Sequence, residues 1–132
     1  MLLILFLFVL FGSTSNAYDQ NIAKHFVNLS QSAYCVTSVN QWDCITCNAS
    51  VKLDYIVEKD GSKAIQGFDT YTNSIFTAFR GSSNIHNWID NIQIDKISPY
   101  TDQSIKIAKG FYKEYSHIKN ELLDNLPILA NK

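Results

Sequence analysis

The residues best suited to chemistry lie in one stretch, FRGSSNIHNWIDNI at 79–92. An apolar run at 75–79 predicts a short strand, which ends at Arg80-Gly81. Gly81 permits a turn that other residues resist, and Ser82 then presents a backbone N–H and a hydroxyl where the strand leaves the sheet. Two fixed donors at such a point can form an oxyanion hole. Ordinary strand-end turns are also rich in Gly and Ser, so both interpretations stay open on these residues alone.

The residues that follow predict a short amphipathic helix. Asn84 can cap its start. Its apolar face holds Ile85, Trp88, Ile89 and Ile92, and its polar face holds His86, Asn87, Asp90 and Asn91. Beside a catalytic loop, such a helix can act as a lid that covers an apolar cleft in water and opens at a lipid surface. A surface helix packed permanently on the core has the same periodicity, so that alternative remains.

A nucleophile elbow is not found in these 132 residues. The five glycines are Gly12, Gly61, Gly67, Gly81 and Gly110, and no two of them frame a serine as G-x-S-x-G. The histidines offer no substitute. His25 and His117 are expected on polar or boundary helix faces and His86 on the polar side of the lid, without a serine or cysteine partner. Acidic side chains of the second helix are expected to form a solvated face: Glu114, Glu121 and Asp124.

Composition indicates one globular domain. The chain is 46% hydrophobic and 17% charged, with a formal net charge of −1 and no block of like charge, which argues against a nucleic-acid partner. Residues 1–17 read as a signal peptide, with the apolar run MLLILFLFVLF and a small-residue cleavage site ending at Ala17. We therefore expect a secreted protein with a mature domain at 18–132. A buried N-terminal helix or an uncleaved anchor is the alternative for 1–17.

Three cysteines suit a secreted protein. Cys44 and Cys47 form a C-x-x-C pair, which we interpret as a local disulfide rather than a redox or zinc motif, because zinc needs two further ligands. Cys35 is then unpaired, and no metal site or cofactor is expected. Two sequons, at Asn28 and Asn48, are glycosylation candidates.

The order of elements predicts an α/β fold. A helix is expected at 18–34, with Ile22, Phe26 and Ser30 on one stripe. A strand with period-2 alternation at 51–58 turns at Asp60-Gly61 into a second strand at 63–71. The run at 75–79 is expected to be an interior strand. A short strand is expected from Ile92, Ile94 and Ile97. After a loop at 98–103, Ile105 and Ile107 lead into a helix at 111–126, which Pro127 interrupts. The periodic apolar residues of this helix are Phe111, Tyr115, Ile118, Leu122 and Leu126.

From Ala33 to Leu126 the sequence resembles the secreted class 3, or fungal lipase-type, lipases. The matching elements are AYC at 33–35, WDCITC at 42–47, AFRGSSNIHNWIDNI at 78–92 and KGFYKEYSHIKNEL at 109–122. The resemblance implies an incomplete α/β-hydrolase fold with an N-terminal helix, a mixed sheet, a lid helix and a crossover helix. It also implies an ester or lipid substrate met at an interface, with a peripheral membrane or lipid droplet as a candidate surface. The oligomeric state is not predicted.

The resemblance also assigns roles to residues. Ser82 would be the oxyanion donor, the lid would run from Asn84 to Ile92, and Cys44 and Cys47 would form a local disulfide. Cys35 would pair with a cysteine near the family's C-terminus. Family members often have Asp where this chain has Asn91, which removes one expected support of Ser82.

The family's Ser-Asp-His triad would follow the second helix, past Lys132. We therefore expect the 132 residues to lack turnover on their own. A non-catalytic secreted module that binds lipid surfaces or regulates a full-length relative is the alternative. A thiol-redox module using Cys44 and Cys47 is a further one.

Overall fold

A computed structural model describes residues 18–81 and 95–132. The expected signal peptide at 1–17 lies outside the described residues. So do Ser82 and the expected lid residues Asn84, Ile85, Trp88, Ile89 and Ile92.

Helix α1 spans Gln20–Cys35 and is capped by Asp19, whose Oδ1 accepts the N–H of Asn21 at 2.7 Å. The predicted stripe does not face the core, because Ile22, Phe26 and Ser30 are exposed. The buried residues are instead His25, Leu29, Ser32 and Ala33. Two of these four are polar, and each has a hydrogen-bond partner inside the fold, so apolar periodicity alone gave the wrong face.

Three antiparallel strands follow: β1 at Val51–Lys59, β2 at Ser62–Asp69 and β3 at Ser74–Phe79, in the order β1-β2-β3. The predicted turn at Asp60-Gly61 is confirmed, with φ of 52° and 86° at these residues. A mixed sheet was expected, but every pairing among the described strands is antiparallel. The run predicted to be interior, β3, pairs only with β2 among them and so forms an edge.

A β-bulge interrupts the alternation of β1. The register shifts between Leu53 and Tyr55, which moves later side chains to the opposite face from that expected. Leu53 and Ile56 therefore pack with one cluster, whereas Val57 packs with another.

Two helices cover the two faces of the sheet. On one face, α1 contributes Leu29 and Ala33 to a cluster with Leu53, Ile65 and Phe76. On the other, the C-terminal helix packs on a second cluster formed by Val57, Ala64, Ile118 and Leu122. Strand β2 lies between these layers and is buried on both faces.

The C-terminal helix, α2, spans Lys109–Ala130 and follows a two-stranded pairing of β4 at Lys96–Ile97 with β5 at Ile107–Ala108. The helix continues past Pro127 instead of ending there. Because Pro127 lies in the last turns, its missing N–H affects one hydrogen bond near the end of the helix.

The buried face of α2 includes Ile118 and Leu122, as predicted, but Phe111 is 60% exposed and Leu126 is 37% exposed. Asn125 and Leu129 are buried in addition. Neither described helix has the length and hydropathy that a membrane-spanning segment needs.

Candidate functional site

The end of strand β3 delivers the chain to Ser82, and Arg80 fixes that end to the β1–β2 hairpin. The backbone N–H of Arg80 donates to the carbonyl of Lys63 at 2.8 Å. Its Nη2 donates to the carbonyl of Gly61 at 2.8 Å, and its Nη1 lies 3.2 Å from Glu58 Oε1. The Arg80 side chain is 14% exposed, whereas its ion-pair partner Glu58 is 49% exposed, so only the Arg80 side of that ion pair is shielded from water. The residue two places before Ser82 is thus held by both backbone and side chain.

Gly81 lies against helix α1. A Cβ built at Gly81 would be 2.4 Å from the Tyr34 hydroxyl oxygen, a distance that requires movement of one of the two residues. The end of the Tyr34 side chain, from the last turn of α1, therefore lies directly against the backbone at Gly81.

An apolar cavity of about 310 Å³ adjoins the same strand end. The Phe79 and Tyr115 rings meet there edge to face, with centroids 6.4 Å apart. The lining residues are Ser62, Lys63, Phe79, Arg80, Phe111, Glu114, Tyr115 and Ile118. Sequence periodicity placed Phe111 on the buried face of α2, but Phe111 is exposed and contributes to the apolar surface at the end of β3.

One serine–histidine–carboxylate cluster borders this cavity. Ser62 Oγ donates to Glu114 Oε2 at 2.6 Å and lies 3.5 Å from His117 Nδ1. Glu114 is therefore not part of a solvated face, and His117 does have a serine neighbour, contrary to both predictions. The hydroxyl proton of Ser62 is directed at the carboxylate, whereas a nucleophilic serine donates to its histidine base. This cluster therefore joins α2 to the sheet instead of forming a triad.

His25 also differs from the prediction, because it is buried. Its Nε2 lies 2.7 Å from Asp69 Oδ2, and its Nδ1 lies 3.5 Å from Asn48 Nδ2. Burial is the largest single influence on the Asp69 carboxyl and raises its pKa. The hydrogen bonds that it accepts together outweigh burial and lower the pKa to about 2; the donors are Thr72, Ser50, His25 and the N–H of Tyr71. The pair is a satisfied structural contact, and no serine of residues 18–81 or 95–132 hydrogen-bonds to the ring.

The predicted Cys44–Cys47 disulfide is formed, and Cys35 is a free, exposed thiol. The structure adds a relation that sequence spacing did not indicate. The Sγ atoms of Cys35, Cys44 and Cys47 all lie within 4.8 Å of one another. Helix α1 and the following loop bring Cys35 close to the disulfide. Cys35 is too far along the sequence from Cys44 and Cys47 for a short motif to predict this proximity.

The sequon asparagines Asn28 and Asn48 are exposed. Asn48 Oδ1 accepts the N–H of Ser50 at 2.9 Å. Glycosylation at either asparagine stays a prediction.

Comparison with known proteins gives one consistent class. A lipase of Rhizomucor miehei is 34% identical over an alignment length of 119, and the match covers 83% of this chain and 32% of that protein. A solved triacylglycerol lipase, described as having a serine protease triad as its catalytic centre, superposes with a TM-score of 0.66 at 28% identity, over 83% of this chain and 45% of that one. The native propeptide complex of Rhizomucor miehei lipase gives 0.63 at 29% identity, over 87% and 41%.

These similarities are all to lipases, and over most of its length the chain is similar to the lipase of Rhizomucor miehei. It spans about a third of the length of the curated relative that it matches. No protein-family model matches the chain.

Proposed function

We propose that this chain is the N-terminal portion of a secreted, serine-type lipase or related carboxylic-ester hydrolase. The observation that carries the proposal is the 34% identity to a lipase over 83% of the chain. Because the match covers 83% of the 132 residues, it spans the part of the chain that contains residues 79–92, the stretch with the candidate chemistry. The anchoring of Arg80 and the close approach at Gly81 support a fixed oxyanion loop beginning at Ser82.

In the proposed reaction, an acyl-serine forms and is then hydrolysed by water. Ser82 contributes an N–H and a hydroxyl to the negative oxygen of each tetrahedral intermediate. In this proposal the segment from Asn84 to Ile92 acts as a lid over an apolar cleft in water. At a lipid–water interface its apolar side chains, with Trp88 at the centre, enter lipid and uncover that cleft.

The nucleophile is not supplied by these 132 residues, since they contain no G-x-S-x-G. The chain by itself therefore does not hydrolyse esters, and its activity requires an elbow serine from further sequence. Residues 1–17 direct it out of the cell as a signal peptide.

The second candidate is a non-catalytic secreted module. The same lack of an elbow serine favours it, because Ile85, Trp88 and Ile89 could still bind a lipid surface. In that case interface binding is the whole function, or the module regulates a full-length relative.

Sequencing the transcript through codon 132 distinguishes the two candidate functions. An open frame that continues into a strand and G-x-S-x-G, with hydrolysis of a short-chain ester by the longer product only, supports the lipase. A stop codon there, with vesicle binding by the 132-residue chain that Trp88→Ala abolishes and Trp42→Ala does not, supports the binding module.

A further inference from the structure

A polar cavity of about 230 Å³ lies between helix α1 and the turn that leads into β3. Its lining residues are Asn21, Lys24, His25, Asn28, Asn48 and Tyr71. Two of them, Asn28 and Asn48, are the asparagines of the two sequons. We propose that Asn28 carries an N-linked glycan whose first sugar occupies this cavity, and that Asn48 stays unmodified as part of the fold. This inference rests on the proposed secretion of the chain.

The Asn28 side chain is free to be modified. Asn28 is exposed on α1, and its side chain makes no hydrogen bond with any residue of 18–81 or 95–132. The side chains of Asn21 and Lys24, earlier on the same helix, have no partner in this part of the chain either. A sugar bonded to Asn28 therefore displaces no contact among these residues and meets polar groups that are left to hydrogen-bond it.

Asn48, by contrast, holds part of the fold together. Its Oδ1 accepts the N–H of Ser50 at 2.9 Å, and its carbonyl accepts the indole N–H of Trp42 at 2.7 Å. Its Nδ2 lies 3.5 Å from Nδ1 of His25, a buried ring that is paired with Asp69. A glycosidic bond replaces one hydrogen of Nδ2 with a sugar carbon, so a sugar at Asn48 competes with the contact to this ring.

The cavity has the chemistry of a sugar subsite. The Tyr71 ring is 54% exposed and its centroid lies 5.0 Å from that of His25, while the N–H of Tyr71 donates to Asp69 at 3.1 Å. A sugar ring has a face of C–H groups that packs on an aromatic ring, and hydroxyl and acetamido groups that need polar partners. Asn21 and Lys24 supply such partners.

The size of the cavity limits it to one sugar. Pockets for drug-sized ligands begin at about 300 Å³, and this cavity of about 230 Å³ is smaller. It therefore accommodates a single sugar unit such as N-acetylglucosamine. Because Asn28 and Asn48 both line it, the sugar on Asn28 takes the place that a sugar on Asn48 would need.

The glycan is transferred in the secretory pathway from a lipid-linked oligosaccharide diphosphate. Asn28 Nδ2 forms a bond to the anomeric carbon of the first sugar and gives up one proton. The bond from that carbon to the diphosphate oxygen breaks, and its electron pair leaves with the diphosphate, so nothing is oxidised or reduced. Ser30 supplies the hydroxyl that the Asn-x-Ser signal requires.

Glycopeptide mapping of the secreted protein tests the assignment. The chain is expressed in a eukaryotic host that adds high-mannose glycans, with its own residues 1–17 and, separately, with the host's leader in their place. The second form reports on glycosylation even if residues 1–17 do not direct secretion. We expect a glycan on Asn28 and none on Asn48. Ser30→Ala should carry no glycan, whereas Ser30→Thr should keep it. An occupied Asn48, or no glycan on the leader-directed chain, would overturn the proposal.

Thermal unfolding tests whether the sugar occupies the cavity. Endoglycosidase H trims the glycan to the one sugar bonded to Asn28, and Ser30→Ala is the matched chain without it. We expect the trimmed chain to unfold about 2–4 °C above Ser30→Ala. This difference should vanish when both chains also carry Tyr71→Ala, and the effect of Ser30 itself is common to both comparisons. The same difference with and without Tyr71, or none in either, would show that the sugar lies outside the cavity.

Discussion

His25 Nε2 lies 2.7 Å from Asp69 Oδ2, and this buried pair joins helix α1 to the end of strand β2. A carboxylate only accepts hydrogen bonds, so Nε2 carries the ring proton. Ser50 and Thr72 donate to the same carboxylate at 2.9 Å and 2.7 Å. The charge of Asp69 therefore organises the helix, the start of β1 and the β2–β3 turn together.

Replacing this charge should destabilise the fold. In Asp69→Asn, the side-chain NH2 faces groups that themselves donate hydrogen bonds, and the hydrogen bonds to a charged carboxylate are lost. We therefore expect the free energy of unfolding to fall by about 2–4 kcal/mol. Urea unfolding at pH 7 measures the change. Asp124→Asn, on the exposed face of α2, is the matched control and should change stability by less than about 0.5 kcal/mol. Equal effects of the two substitutions would contradict this role of Asp69.

The same carboxylate predicts an acid dependence. Its folded pKa of about 2 lies below the ordinary value of 3.8, so its contribution is present above pH 4 and is lost as the pH falls from 4 towards 2. The shift corresponds to about 2 kcal/mol. Unfolding free energies between pH 2 and pH 6 should show this loss in the wild-type chain and a flatter curve in Asp69→Asn. Parallel curves for the two proteins would show that another group controls acid stability.

Gly67 is required where β1 and β2 approach at the bulge. A Cβ there would be 2.0 Å from the carbonyl oxygen of Lys52, which is backbone and cannot rotate away. We expect Gly67→Ala to cost at least about 3 kcal/mol of unfolding free energy. In Gly81→Ala the added methyl group meets only the end of the Tyr34 side chain, which can move, so this substitution should cost about 1 kcal/mol of unfolding free energy. Thermal unfolding of both variants measures the difference. The same substitution is thereby tested next to rigid backbone at Gly67 and next to a movable side chain at Gly81. A smaller loss in Gly67→Ala than in Gly81→Ala would contradict the register.

A buried amide pair joins α2 to the sheet. Asn125 Nδ2 donates to Gln66 Oε1 at 2.9 Å, and Gln66 Nε2 donates to the carbonyl of Leu122 at 3.1 Å. Asn125→Ala leaves a buried oxygen without its donor, which should cost about 1–3 kcal/mol in urea unfolding. Asn120→Ala, exposed on the same helix, should cost less than about 0.5 kcal/mol. A difference near zero between them would show that the amide pair does not hold the helix.

The sequence predicted those elements whose signals are local. The Asp60-Gly61 turn needs positive φ, and Asp and Gly tolerate it, so the hairpin was identified correctly. The C-x-x-C disulfide closes within four residues and needs no tertiary information. The oxyanion and lid roles assigned to residues 82–92 also rest on local pattern, and they stay predictions because those residues lie outside the described ones.

The sequence-based predictions of buried faces were wrong where the burial of a side chain depends on a hydrogen-bond partner distant in sequence. His25 and Ser32 are buried because Asp69 and Thr46 accept or share their hydrogen bonds, so the apolar residue Phe26 faces outwards. Likewise, Gln66 is buried because Asn125 satisfies it, and the bulge after Leu53 changed the face of Ile56. Hydrophobic periodicity gives no information on these tertiary hydrogen-bond partners. The proximity of Cys35 to the disulfide is likewise a tertiary contact that periodicity does not predict.

The most direct test of the account concerns Ser82. Residues 79–92 of this chain are grafted into the Rhizomucor miehei lipase in place of their aligned counterpart. The host lipase then supplies the nucleophile, the acid and the histidine. We predict that the graft hydrolyses a short-chain ester, that Ser82→Ala lowers kcat by about 10²–10³-fold with little change in KM, and that the matched Ser83→Ala lowers it less than about threefold. A folded, active graft in which Ser82→Ala and Ser83→Ala behave alike would contradict the assignment of the oxyanion donor.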